Sequence, residues 1–139
     1  MNLTKIVALL IMQGACAYSQ QVVNLAPTSK NKFYDESSNK VITYYKGTQI
    51  ESPFGYLGSD EPSCFITVTD KNKDYWYLFK DDDCDGTVND YVEHDLKNKL
   101  DSNAKSLSRK DNPAKFEELD KLFAEYKALA LNSQTTYIP

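Results

Sequence analysis

The chain has few of the residues and motifs on which most enzymes depend. Its 139 residues include one histidine, His94, and none of the motifs GxSxG, HExxH, GxGxxG or the P-loop. His94 lies between Glu93 and Asp95 and could act as a general base only beside a serine or threonine. The 20 acidic residues offer too many carboxylate pairs to single one out for glycoside hydrolysis. We therefore expect no enzymatic activity, with a hydrolase as the alternative.

The chain also lacks an excess of positive charge. The chain has 16 Lys and Arg residues against 20 Asp and Glu residues, a net charge of −4 at pH 7. Nonspecific nucleic-acid binding needs clustered Lys and Arg side chains that displace counterions. This balance therefore argues against a nucleic-acid partner.

No apolar run is long enough to cross a membrane. The most apolar stretch, residues 6–12, is far shorter than the ~20 residues that a spanning helix requires. It follows Lys5 and precedes Ala15-Cys16-Ala17, an order typical of a secretory signal peptide and its cleavage site. We predict a signal peptide at residues 1–17 and no membrane span.

The same terminus permits a second interpretation. Gly14-Ala15-Cys16 resembles the end of a bacterial lipobox, although Gln13 stands where that motif has leucine. The main prediction is a single α+β domain over residues 18–139, secreted or periplasmic. The alternative is a lipid anchor through Cys16.

Alternating apolar residues predict a small antiparallel sheet. Residues 18–40 are polar and largely irregular, with at most one edge strand, and the β-branched and aromatic segment 41–45 is typical of a strand. Residues 65–69 and 75–79 flank a five-residue polar connection, which predicts a hairpin over 65–79. We expect three to five strands in all.

The carboxyl-terminal part changes to a helical period. Asn112 and Pro113 are suited to a helix N-terminus, and apolar residues then recur every three or four positions from Phe116 to Ala130. This pattern predicts a helix at 113–131 packed on the sheet. A weaker helix is predicted from His94 to Leu107.

The cysteines predict one disulfide bond. Cys16 leaves with the signal peptide, so Cys64 and Cys84 remain as an even pair in an oxidising compartment. They lie at the start of one hairpin strand and just after its neighbour, which brings them close together. Closing a loop of about 20 residues should contribute roughly 3 kcal/mol. Free thiols or a metal site are the alternatives, but the absence of a CxxC spacing argues against zinc.

The segment Asp81-Asp82-Asp83-Cys84-Asp85-Gly86 concentrates negative charge. Two like charges ~4 Å apart cost about 1 kcal/mol even in bulk water. Calcium takes six to eight oxygen ligands, and alternate carboxylates on a tight turn suit it. The alternative is a solvated acidic turn that nearby lysines neutralise.

The order of residues resembles the DxDxDG calcium loops of the EF-hand and dockerin-type families over about a dozen residues. The strand that precedes the loop differs from the helix of an EF-hand, and Val92 stands where the bidentate glutamate is expected. Glu93, Asp90 or a distant carboxylate could close the loop at 81–93 instead. Without that ligand the affinity for Ca²⁺ should be weak, with a Kd of ~10⁻⁴ to 10⁻³ M. The ligands that the resemblance implies are Asp81, Asp83, Asp85, the Thr87 carbonyl, Asn89 and Glu93.

Aromatic residues suggest a second kind of site. Tyr75, Trp76 and Tyr77 stand among the ten tyrosines and one tryptophan of the chain. Exposed on a sheet face, they would suit an extracellular protein or glycan partner. The alternative is that the tyrosines cover the edges of a small core.

The leading hypothesis is therefore a small secreted or periplasmic calcium-binding module in which the ion is mainly structural. The alternative is a secreted protein-binding, carbohydrate-binding or inhibitor-like domain that uses an aromatic sheet face. The two hypotheses differ in whether Asp81, Asp83 and Asp85 converge on one point.

Overall fold

A computed structural model of the protein describes residues 27–97 and 104–138. That part of the chain forms seven strands and one helix. In chain order they are β1 (Thr28–Asp35), β2 (Lys40–Ser52), β3 (Gly55–Asp70), β4 (Tyr75–Asp81), β5 (Asp90–Asp95), β6 (Ala104–Ser108), α1 (Pro113–Leu131) and β7 (Thr135–Ile138). The predicted signal peptide at residues 1–17 lies outside the described residues.

The seven strands form one antiparallel sheet in the order β6-β5-β4-β3-β2-β1-β7. The first six strands follow one another as a meander, and α1 then returns the chain so that β7 pairs with β1. The hairpin predicted at 65–79 and the helix predicted at 113–131 are confirmed. The sheet is larger than the predicted three to five strands. The described part of the chain contains no helix both long and apolar enough to cross a membrane.

Two sequence predictions are corrected by the sheet. The weaker helix expected from His94 to Leu107 is wrong, because His94 belongs to β5 and Leu107 to β6. Leu107 is paired with Tyr91 and packs against the core, so it follows the period of a strand. The edge strand that residues 18–40 were expected to contain at most is β1 (Thr28–Asp35), but it is an interior strand between β2 and β7. Its polar character misled the prediction, since pairing on both sides satisfies the backbone.

The main core lies between α1 and one face of the sheet, here called the helix-covered face. Strand alternation points every second side chain of β2, β3 and β4 towards α1. The helix contributes Phe116, Leu119 and Phe123, which are buried. The sheet side chains buried against them include Ile42, Tyr44, Ile66, Val68 and Phe79.

The opposite face is covered by the β2–β3 hairpin itself. This hairpin extends beyond the rest of the sheet, and its register shifts where Thr48 of β2 stands opposite residues 59–62 of β3. Beyond the shift, the Phe54 ring lies 6.2 Å from that of Trp76 and 4.5 Å from that of His94. We call residues 48–62 the hairpin extension, and the face beneath it the hairpin-covered face.

Gly47 and Thr28 shape the bend before the hairpin extension. Gly47 has a φ of +151°, and a Cβ there would lie 2.4 Å from Thr28 Oγ1 and 2.8 Å from Thr28 Cα. The buried Thr28 hydroxyl accepts hydrogen bonds from the amides of Thr48 and Gln49, each at 3.2 Å. The bend therefore requires a residue without a side chain at position 47.

Candidate metal site in the acidic loop

The acidic loop connects β4 to β5 and is anchored by a disulfide bond. Asp81 ends β4, opposite Cys64 on β3. The Sγ atoms of Cys64 and Cys84 are 2.10 Å apart, with the Cα atoms 5.1 Å apart, which confirms the predicted pair. Cys84 has a φ of +58° and Gly86 a φ of +92°, so the chain turns sharply on both sides of Asp85. The bridge holds this turn against the helix-covered face.

Asp81 lies at the bottom of the loop and is only 1% exposed. Its Oδ2 accepts a hydrogen bond of 2.7 Å from the amide of Gly86, and its Oδ1 accepts one of 3.3 Å from the amide of Asp85. Burial raises the pKa of the Asp81 carboxyl above its ordinary value of 3.8, although the two amides act in the opposite direction. The charged form of Asp81 is therefore short of solvation.

Asp83 and Asp85 lie above Asp81 and are exposed. The Asp85 Oδ1 accepts a hydrogen bond of 2.8 Å from the amide of Thr87, which holds the pKa of that carboxyl below its ordinary value. One carboxylate oxygen from each of Asp81, Asp83 and Asp85 lies within 4.8 Å of the other two. The turn thus brings together the three predicted aspartates.

Two of the remaining predicted ligands, Asn89 and Glu93, have other contacts. The Asn89 side-chain oxygen accepts a hydrogen bond of 2.8 Å from the amide of Asp82, so it closes the loop on itself. Glu93 pairs with Tyr77, four residues before Asp81 on β4, a separation of roughly 13 Å at the rise of a strand. Its carboxylate accepts a hydrogen bond of 2.8 Å from the Tyr91 hydroxyl. The structure does not bring Glu93 to the three aspartates.

The loop also has a support that the sequence analysis missed. Asp120 of α1 accepts a hydrogen bond of 2.9 Å from the amide of Val88 and forms an ion pair with Arg109. The Arg109 guanidinium in turn donates to the Val88 carbonyl at 3.4 Å. Asp120 is 32 residues from Val88 in the chain, so no local spacing could have predicted this contact.

The aromatic residues proposed as a partner surface do not form an exposed strip. Trp76 is only 5% exposed and is packed under Phe54 on the hairpin-covered face. Tyr75 and Tyr77 point to the other face, where Tyr77 stacks on Tyr91 at 6.4 Å. Trp76 is buried because the hairpin extension covers the face on which it lies.

His94 is likewise covered. It is buried, its ring packs on Phe54, and its Nε2 has no hydrogen-bond partner among the described residues. Its Nδ1 lies 3.1 Å from the Asp95 carbonyl. This placement gives His94 no serine or threonine partner within the described part of the chain.

The donor set of the loop fits a hard cation. It consists of carboxylate oxygens, and each such oxygen has a second lone pair, so Asp81 can keep its amide contacts and still offer a ligand atom. A cation would also restore the solvation that burial removes from Asp81.

No protein-family model matches this chain, and no curated protein or solved structure matches it. The interpretation of the site thus depends on its own residues.

Proposed function

We propose that this protein is a small secreted or periplasmic calcium-binding module in which the ion is mainly structural. The proposal depends on one observation, namely that carboxylate oxygens of Asp81, Asp83 and Asp85 lie within 4.8 Å of one another. Such crowding of like charges is favourable when a divalent cation shares the oxygens. A disulfide bond and the apolar amino-terminal segment support export.

The three aspartates would supply the carboxylate ligands, and water would complete the coordination. Since Glu93 is held by Tyr91, the loop lacks a bidentate closing ligand. We therefore expect a Kd for Ca²⁺ of ~10⁻⁴ to 10⁻³ M, within the range of extracellular modules. The ion would fix the turn next to Cys84 and reduce the repulsion among the carboxylates. We assign no catalytic step to this site.

Calorimetric titration with CaCl₂ tests the proposal. The expected result is one calcium site per chain, with much weaker binding of MgCl₂, because Mg²⁺ demands a near-ideal octahedral site and dehydrates reluctantly. Bound calcium should also raise the unfolding temperature as its concentration exceeds the Kd. Absence of heat and of a thermal shift at millimolar calcium would refute the proposal.

Matched substitutions locate the site. Asp83→Asn and Asp85→Asn should each weaken calcium binding by about tenfold or more, since each removes one charged ligand. Asp82→Asn is the control, because Asp82 lies in the same loop, forms an ion pair with Lys80 at 3.5 Å and does not belong to the cluster. An equal loss in Asp82→Asn would mean that calcium responds only to the net charge of the loop.

A further inference from the structure

A second cavity lies on the helix-covered face, apart from the acidic loop. It has a volume of about 220 Å³ and is partly open to solvent between α1 and strands β2 to β5. This volume lies below the ~300–1,000 Å³ of sites for drug-sized ligands, so the cavity suits a small metabolite. The proposed calcium site makes no use of it.

The cavity is polar at one end. Asp70 ends β3 and pairs in register with Lys40 of β2, which places the two side chains side by side on one face. Lys73, in the turn that follows, also lines this end. Asp70 is only 5% exposed, yet neither lysine forms an ion pair with it. Among the described residues, one buried carboxylate and two ammonium groups thus stand together without pairing.

The turn accounts for only one oxygen of Asp70. Its Oδ1 accepts hydrogen bonds of 3.0 Å from the amides of Asn72 and Lys73. The hydrogen bonds from described residues to this carboxylate end on Oδ1, and none ends on Oδ2. Glu93 lines the cavity too, and the Tyr91 hydroxyl donates a hydrogen bond to its Oε2 but not to its Oε1. The cavity therefore offers free carboxylate oxygens to a cation and free ammonium groups to an anion.

The other end of the cavity is apolar. Val68 lies on the same face as Asp70, two residues along β3, and Phe79 lies deeper on β4. Leu122 and Tyr126 of α1 form the opposite wall, and the Tyr126 ring meets that of Phe79 edge to face at 5.9 Å. An apolar ligand body of metabolite size would be enclosed between sheet and helix.

We propose that this cavity binds a small zwitterion with an apolar body, the chemistry of a free hydrophobic or aromatic α-amino acid. The ligand ammonium group binds the Asp70 carboxylate, and the ligand carboxylate binds the ammonium groups of Lys40 and Lys73. The ligand side chain packs against Leu122 and Tyr126 of α1. A ligand with both charges on neighbouring atoms matches a site whose acid and base stand on paired residues.

Calorimetry with three compounds that share one phenyl group tests the proposal. L-Phenylalanine carries both charges, phenethylamine only the ammonium group, and 3-phenylpropionate only the carboxylate. L-Phenylalanine should bind about tenfold or more tightly than either analogue, because each analogue leaves one set of protein charges unpaired. Equal binding of an analogue, or no heat with L-phenylalanine at millimolar concentration, would overturn the proposal.

Charge-removing variants test which charged group of the protein binds which charged group of the ligand. Asp70→Asn keeps an oxygen for the turn amides but loses the charge. The affinity for L-phenylalanine should therefore fall towards that for 3-phenylpropionate. Lys40→Gln should in the same way reduce the preference over phenethylamine. If both variants kept the wild-type preferences, the charges would not recognise the ligand.

Two leucine variants of α1 test the position of the ligand. Leu122→Trp should fill the cavity and abolish binding, whereas Leu129→Trp, on an exposed residue of the same helix outside the cavity, should leave it unchanged. Thermal unfolding of both variants confirms that each is folded before the titration. If Leu122→Trp kept its affinity for L-phenylalanine, or if both folded variants lost it equally, the ligand would not bind in this cavity.

Discussion

The helix covers one face of the sheet with buried phenylalanine side chains, whereas the hairpin extension covers the other face with Phe54, which remains partly exposed. Phe116 and Phe123 of α1 are at most 1% exposed, while Phe54 at the tip of the hairpin extension is 43% exposed. The helix therefore contributes mainly through burial of apolar surface. The hairpin extension buries less, and its position is fixed by the bend at Gly47 and the contacts of Thr28.

The two faces also differ in the side chains that they carry. Both the three-aspartate cluster and the 220 Å³ cavity are on the helix-covered face, the first in the loop after β4 and the second between α1 and the sheet. On the hairpin-covered face, the described residues place aromatic and β-branched side chains under the extension.

The largest effect is expected from removing a buried side chain of the helix. Phe123→Ala deletes a ring that packs with Tyr44 and Phe79 and should lower the free energy of unfolding by about 3–5 kcal/mol. Urea denaturation followed by circular dichroism measures the loss. The control Leu131→Ala changes a half-exposed residue of the same helix and should cost less than about 0.5 kcal/mol. Similar losses in both variants would show that α1 is not the main apolar cover.

The bend of the hairpin extension should respond to a single methyl group. Gly47→Ala puts a Cβ against the backbone of Thr28 at a positive φ, so the free energy of unfolding should fall by roughly 1–3 kcal/mol. The matched control is Gly58→Ala, where the added Cβ would make an ordinary contact of 3.7 Å with the Thr48 carbonyl oxygen. Denaturation of the two variants under the same conditions compares their free energies of unfolding. Equal stability of both would contradict the role of Gly47.

The helical cover could be predicted from the sequence, and the hairpin cover could not. The period of three and four from Phe116 to Ala130 is a local signal, and it predicted the observed helix. The bend at Gly47 depends on Thr28, which comes near only after the sheet has formed. For this reason strand alternation, which puts Trp76 on one face of the sheet, could not reveal that this face is covered.

The acidic loop shows the same limit. The spacing of Asp81, Asp83 and Asp85 predicted their convergence, because a turn of six residues is local. The position of Glu93 depends on the register of β4 and β5, and the contact of Asp120 depends on the packing of α1. Local order thus predicted the centre of the site, and long-range packing decided its outer contacts.

A smaller effect is expected at the tip of the hairpin extension. Phe54→Ala removes the edge-to-face contact with Trp76 and should lower the free energy of unfolding by about 1 kcal/mol. Trp76 should become more accessible, and its fluorescence should shift to longer wavelength in the folded protein. Tyr56→Ala, at a 61% exposed position of the same extension, is the control and should leave the fluorescence unchanged. An unchanged spectrum in Phe54→Ala would mean that the extension does not cover Trp76.

The two faces should also differ in alkaline solution. On the hairpin-covered face, burial first and the nearby Glu51 carboxylate second raise the pKa of Tyr45 from 10.0 to about 12. Because the pKa is higher in the folded protein, this contribution to stability is fully present below pH 10 and is lost as the pH rises through 12. Ultraviolet titration should show less phenolate at pH 11 in the native than in the denatured protein.

The variant Glu51→Gln tests the contribution of the Glu51 carboxylate. It should bring the Tyr45 pKa closer to 10.0, so that the Tyr45 phenolate forms at lower pH. The tyrosines of the helix-covered face should titrate as before, because their raised pKa values arise mainly from burial. Four tyrosines belong to that second group, namely Tyr44, Tyr77, Tyr91 and Tyr126. A shift of the whole titration curve in Glu51→Gln would instead indicate that the two covers open together.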